Sequence, residues 1–99
     1  MESCPIIEVS ISIYRAEEGG RKRPIIVKVY RPHFRVIGKE EYLGVEFIND
    51  SYDNIEPGSS YKITVRLMYY PNVSYADLSA GKEFEILEGP NVVGRGYVI

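Results

Sequence analysis

The chain has little from which an ordinary active site is assembled. Its 99 residues include one cysteine, one histidine and no tryptophan. With Cys4 alone, neither an intrachain disulfide nor a cysteine-based metal cluster can form, and the usage fits a reducing compartment. No stretch approaches the roughly 20 apolar residues of a membrane-spanning helix. The opening MESCPIIEVS lacks the basic start and the apolar run of about 7–15 residues that mark a secretory signal. These absences predict a soluble cytoplasmic protein with no membrane partner. No Gly-x-x-x-x-Gly-Lys-Ser/Thr loop is present, so ordinary P-loop nucleotide hydrolysis is excluded. Gly94-Arg95-Gly96 lies too near the C-terminus to open a dinucleotide-binding helix.

What titratable chemistry remains is dispersed. His33 is the lone histidine, and no serine beside it is marked as a nucleophile. Set between Pro32 and Phe34, it reads as a positioned loop or core residue. A metal site would need His33 with carboxylates alone, and no calcium-loop pattern gathers them. Asp50 and Asp53 read as turn chemistry, as do the pairs Glu17-Glu18 and Glu40-Glu41. The expectation is no catalytic residue, no metal and no cofactor, hence no enzyme.

The dominant period is two, and a 3.6-residue amphipathic period over ten residues is absent. Ile7, Val9, Ile11 and Ile13 alternate with Glu8, Ser10, Ser12 and Tyr14, as in a strand with one buried face. Glu17-Glu18-Gly19-Gly20 reads as a turn, and Ile25 to Tyr30 as a second strand closed by Arg31-Pro32. Further strands are expected at Phe34–Ile37, Leu43–Ile48, Tyr61–Tyr70, Glu83–Leu87 and Val92–Val98. Asn49 to Asn54 reads as a loop and Pro57-Gly58 as a turn. Ala76 to Ala80 has the length of one helical turn, and Glu88-Gly89-Pro90-Asn91 is a hairpin loop. Gly94 and Gly96 inside the last strand suggest a bend or the close approach of another strand. The length allows one domain over residues 1–99. Six or seven short strands point to a sandwich or a barrel, and closure, which removes exposed edges, favours a small antiparallel β-barrel.

The formal charge of −2 is unevenly spread. Arg15, Arg21, Lys22, Arg23, Lys28, Arg31 and Arg35 face only Glu17 and Glu18, whereas from residue 36 onward five basic residues stand against ten acidic ones. Such asymmetry hints at an acidic or polyanionic partner for one face; a solvated basic face with no partner is the plain alternative. Arg21-Lys22-Arg23 beside a glycine-rich turn is the best candidate for electrostatic contact. Tyr69, Tyr70 and Tyr75, among nine tyrosines, offer amphipathic contact area, or simply half-exposed barrel side chains.

Taken together, Glu17-Glu18-Gly19-Gly20-Arg21, Pro24 and Tyr30-Arg31-Pro32-x-Phe34 resemble the start of the third domain of bacterial elongation factor Tu. Pro57-Gly58, the strand to Pro71, Gly81-x-x-Phe84-x-Ile86-x-Glu88-Gly89 and Val93-Gly94-x-Gly96 resemble its closing half. The resemblance runs from about Ile6 to Ile99 and implies a six-stranded antiparallel barrel. In that family the domain packs on the nucleotide-binding domain, meets the exchange factor and contacts the acceptor arm of aminoacyl-tRNA. The implied RNA contacts fall on Arg21, Glu88 and Gly89; Lys22 stands where the family usually has histidine, and Tyr70 where it has lysine before proline. The GTP-binding domain and the second barrel of the family are not in this chain.

These readings lead to a non-catalytic interaction module that binds a protein partner, translation-related, as decoy or adaptor. The candidate contacts are Arg21, Lys22, Arg23, Tyr70, Glu88 and Gly89. One alternative is an RNA-binding module on the backbone of a tRNA-like stem, with Glu88 accepting from a ribose hydroxyl. Another is an excised domain of a larger translation factor. Surfaces that the full factor buries would be free here, so homo-oligomerisation is a further expectation.

Overall fold

Val9, Ile11 and Ile13 are buried while Ser10 and Ser12 between them are half-exposed, so the first expected strand forms with one face inward (β1, Ile6–Ile13). The structure, a computed structural model, describes residues 5–48 and 52–99; Cys4 and positions 49–51 of the expected loop lie outside the described residues. Seven further strands follow: β2 (Ile25–Ile26), β3 (His33–Val36), β4 (Leu43–Phe47), β5 (Asn54–Ile55), β6 (Ser60–Leu67), β7 (Glu83–Glu88) and β8 (Asn91–Val98). Six of the eight strands form a closed antiparallel barrel in the order β1-β6-β4-β3-β7-β8, with β8 returning to β1. The expected all-β barrel is the fold.

Side-chain volume explains the closure. Phe84 and Ile86 of β7 point inward opposite Gly96 and Gly94 of β8, and Phe84 stacks on Phe34 at 4.0 Å between ring centroids. Glycine opposite phenylalanine leaves room for that stack and lets β8 lie close on β1. A Cβ at Gly96 would sit 2.3 Å from the Ser10 carbonyl oxygen, and one at Gly94 2.5 Å from that of Ser12. Close strand approach at these glycines, expected from the sequence, is therefore present. Leu87 pairs with Val92 and Ile86 with Gly94, so Val93 is the extra residue of a β-bulge. Its carbonyl accepts from the Tyr14 amide at 2.9 Å.

Antiparallel pairing sorts the connections to two ends. The hairpin end collects segments 14–32 and 52–59 and the β7–β8 turn; the opposite end collects 37–42, 68–82 and residues 5 and 99. A two-stranded sheet of β2 and β5 caps the hairpin end, where Ile25, Val27 and Ile55 are fully buried. Tyr75 and Leu78 are buried at the opposite end, and the Tyr75 hydroxyl donates to the Gly44 carbonyl at 2.7 Å.

Expected elements that differ begin with the hairpin loop, where Glu88 and Asn91 pair as the last rung of β7 and β8 and leave only Gly89-Pro90 as the turn. The strand expected over Ile25 to Tyr30 lasts two residues and then becomes a 3-10 turn, Val27–Val29, because Tyr30 donates its amide back to the Val27 carbonyl at 3.2 Å. The long strand stops at Leu67, where the Tyr70 amide turns back to the Leu67 carbonyl and the Tyr75 hydroxyl accepts from the Tyr69 amide at 3.1 Å. Ala76 to Ala80 is turn and bend without a helix.

Candidate functional site

Arg21 leaves the glycine turn with its guanidinium folded back over its own segment. Its Nε donates to the Arg23 carbonyl at 3.1 Å and one terminal nitrogen to the Pro24 carbonyl at 3.4 Å. The other terminal nitrogen donates to Oε2 of Glu88, at the tip of β7. The same carboxylate oxygen accepts from the Tyr30 hydroxyl at 2.5 Å, and the guanidinium carbon lies 5.5 Å from the centre of the Tyr30 ring. Tyr30 is fixed in turn by an edge-to-face contact with Phe47 at 4.9 Å. Its carbonyl also accepts from the Phe47 amide at 3.1 Å.

This network ties the loop between β1 and β3 to the β7–β8 hairpin. Charge-assisted hydrogen bonds contribute roughly 1.5–3 kcal/mol when well shielded. The side chains of Arg21 and Glu88 keep 26% and 31% of their exposure, and solvent screening places the pair toward the lower figure. Burial, more than the hydrogen bond to Glu88 and its charge, pushes the Tyr30 hydroxyl well above its ordinary pKa, with Arg21 opposing in part. Tyr30 therefore stays a donor throughout the physiological range.

Of the sequence-derived candidates, Arg21 and Glu88 are in direct contact, with Gly89 next in the turn. Gly89 has φ +58° and nothing within 4 Å of the position a Cβ would take, so it serves the backbone rather than a close approach. Lys22 and Arg23 flank Arg21, exposed and without an ion pair among the described residues. Tyr70, half-exposed, lies at the opposite end of the barrel beyond β6, so it shares no surface with the others.

The basic stretch divides in the same way. Arg31 and Arg66 bind different oxygens of Glu46, at 3.1 and 2.6 Å, and Arg35 binds Glu85 at 2.7 Å across β3 and β7. Lys22, Arg23 and Lys28 are left as unpaired exposed cations of segment 21–31 among the described residues. The same segment exposes Ile26 and Val29, 53% and 65%; strand alternation sets Ile26 on the face of Lys28, but it sets Val29 with Ile25 and Val27 and so misses its exposure. Ile26 is the extended residue before the 3-10 turn and Val29 the last residue of it, and both stand in solvent while Val27 turns into the core. Tyr30 was missed too; its tie to Glu88 spans 58 residues, and no local signal announces it.

His33 sits on the outer wall of β3 with its ring 5.8 Å from that of Tyr42. A depression over β1, β6, β7 and β8, lined by Ser10, Ser12, Ser60, Glu83, Arg95 and Tyr97, sets one carboxylate against one guanidinium and so selects no ligand charge. Among the described residues, no three His, Cys, Asp or Glu side chains are grouped to hold a metal ion. No family model matches the chain.

Proposed function

We propose that this protein is a non-catalytic interaction module that binds a protein partner through the hairpin end of its barrel. The observation carrying this reading is segment 21–31, tied down by Arg21 and Tyr30 while Lys22, Arg23, Ile26, Lys28 and Val29 stand in solvent. A surface held in one conformation loses little entropy on association. The resemblance to the third domain of elongation factor Tu supports a translation-related partner, which the chain would engage as adaptor or decoy, either alone or as the excised domain of a larger factor.

The second reading, contact with the backbone of a tRNA-like stem, draws on Arg21, Glu88 and Gly89 coming together at one corner. It has less to work with, since Glu88 already neutralises Arg21 and exposed isoleucine and valine offer nothing to phosphates. Capture from native extract on the immobilised chain, with and without ribonuclease, separates the two. The proposal expects a retained protein that survives ribonuclease and is lost on Lys22→Glu with Arg23→Glu. Recovery of RNA alone would replace it with the second reading, and recovery of nothing would overturn both.

A further inference from the structure

Segment 21–31 carries five cations and no acid, and two of them, Arg21 and Arg31, are ion-paired with Glu88 and Glu46. Lys22, Arg23 and Lys28 remain, and within the same segment Ile26 on β2 and Val29 at the end of the 3-10 turn are both exposed. Aliphatic side chains exposed to this degree lose nothing by meeting water-poor surface, while the three cations demand negative charge around it.

We infer that this face takes an acidic protein segment bearing an aliphatic or aromatic anchor, the anchor seated on Ile26 and Val29 and its flanking carboxylates on Lys22, Arg23 and Lys28. The inference rests on the protein-binding reading above and names the chemistry of the partner. Charge complementarity selects the occupant. A phosphate backbone would satisfy the cations but leave both aliphatics against polar atoms. A neutral apolar partner would desolvate three ammonium and guanidinium groups without compensation.

The test is fluorescence anisotropy with three labelled probes: an acidic peptide containing leucine and phenylalanine, a poly-glutamate peptide of equal charge, and transfer RNA. Phosphatidylserine vesicles, assayed by flotation, serve as a fourth. The mixed peptide is expected to bind in a salt-sensitive manner and about tenfold more tightly than poly-glutamate. Ile26→Ser with Val29→Ser should abolish that advantage while leaving the salt dependence, and Lys22→Glu, Arg23→Glu and Lys28→Glu should remove binding to both peptides. All five side chains are exposed, so wild-type melting of each variant verifies the fold. Equal affinity for the two peptides, or binding of transfer RNA or vesicles in preference to the mixed peptide, would overturn the inference. So would a partner captured from extract that ignores Ile26→Ser with Val29→Ser but is lost on Tyr69→Ala with Tyr70→Ala. That last result would leave the protein-binding reading standing at the opposite end of the barrel.

Discussion

At the scale of single residues, two glycines of the same β7–β8 hairpin do different work. Gly96 is small because β1 and Phe84 occupy the space a side chain would need: a Cβ there lies 2.3 Å from a carbonyl oxygen and 2.9 Å from the Phe84 ring. Gly89 is glycine for its positive φ, with open space around it. Gly96→Ala should therefore cost about 3 kcal/mol or more through overpacking against backbone, and Gly89→Ala about 1 kcal/mol from the left-handed conformation alone. Urea unfolding of the two variants checks the order, and equal losses would contradict it. Tyr30 yields a pH prediction. Its hydroxyl is held protonated by burial and Glu88, so its folded pKa lies above its unfolded value near 10. Between those two values the folded state binds the extra proton, and stability falls as pH rises. In a spectrophotometric titration, Tyr30 should ionise above the unfolded value and only as the barrel opens. Tyr30→Phe should remove part of the alkaline loss of stability.

Among the elements, the strands with strict alternation were the legible ones, because a barrel wall buries every second residue and the period survives in the sequence. β1 and β8 were read almost to the residue, and the glycines of β8 signalled the close approach found there. The stretch 25–30 was misread for a physical reason. Ile25 and Val27 are inward in a strand and in the actual strand-plus-3-10 arrangement alike, so the pattern does not discriminate until Val29, which goes outward. The choice between them is made by Tyr30, through Phe47 and Glu88, contacts that no local window contains. β5, two residues long, is too short to show a period. Of the site, Glu88 and Gly89 were reached through family resemblance and Arg21 through its basic run as well, whereas the outward turn of Val29 needed coordinates. The β2–β5 sheet has two paired positions on each strand, too few for independent stability, so it depends on its buried side chains and on the Arg21–Glu88–Tyr30 tie. Glu88→Gln should cost about 1–2 kcal/mol by leaving a partly shielded arginine without its counter-charge. Hydrogen exchange should localise the effect, with the Val27 and Tyr30 amides, bonded to the Asp53 and Val27 carbonyls, exchanging faster and those of β1 and β6 unchanged. A uniform rise across the barrel would show that the tie is not confined to the cap.

For the molecule as a whole, closure has consequences that no single strand carries. The closed barrel offers no sheet edge for strand addition, and the two-residue strands β2 and β5 offer only a short one, so the proposed association uses side chains at the walls or ends. The ends are independent surfaces separated by the length of the strands, with the basic, aliphatic segment at one and Tyr69, Tyr70 and Val73 exposed at the other. Residues 5 and 99 also lie at the second end. The Ile99 amide donates to the Glu8 carbonyl at 3.0 Å, and Pro5 is three strand residues farther along, about 10 Å away at the usual rise. A short flexible linker can bridge that gap, and the exposed turn at Glu40 and Glu41, at the same end, can be opened instead. The permuted chain should unfold cooperatively, because it keeps every barrel pairing and opens only a solvent-exposed connection. It should also bind the acidic, apolar peptide with unchanged affinity. A permutant opened between Lys22 and Arg23 keeps the same pairings but frees the segment that Arg21 folds back on, through its bonds to the Arg23 and Pro24 carbonyls. That chain should still fold yet lose most of its affinity for the peptide. If both permutants bound equally, the ordered conformation of segment 21–31 would not be what recognises the partner.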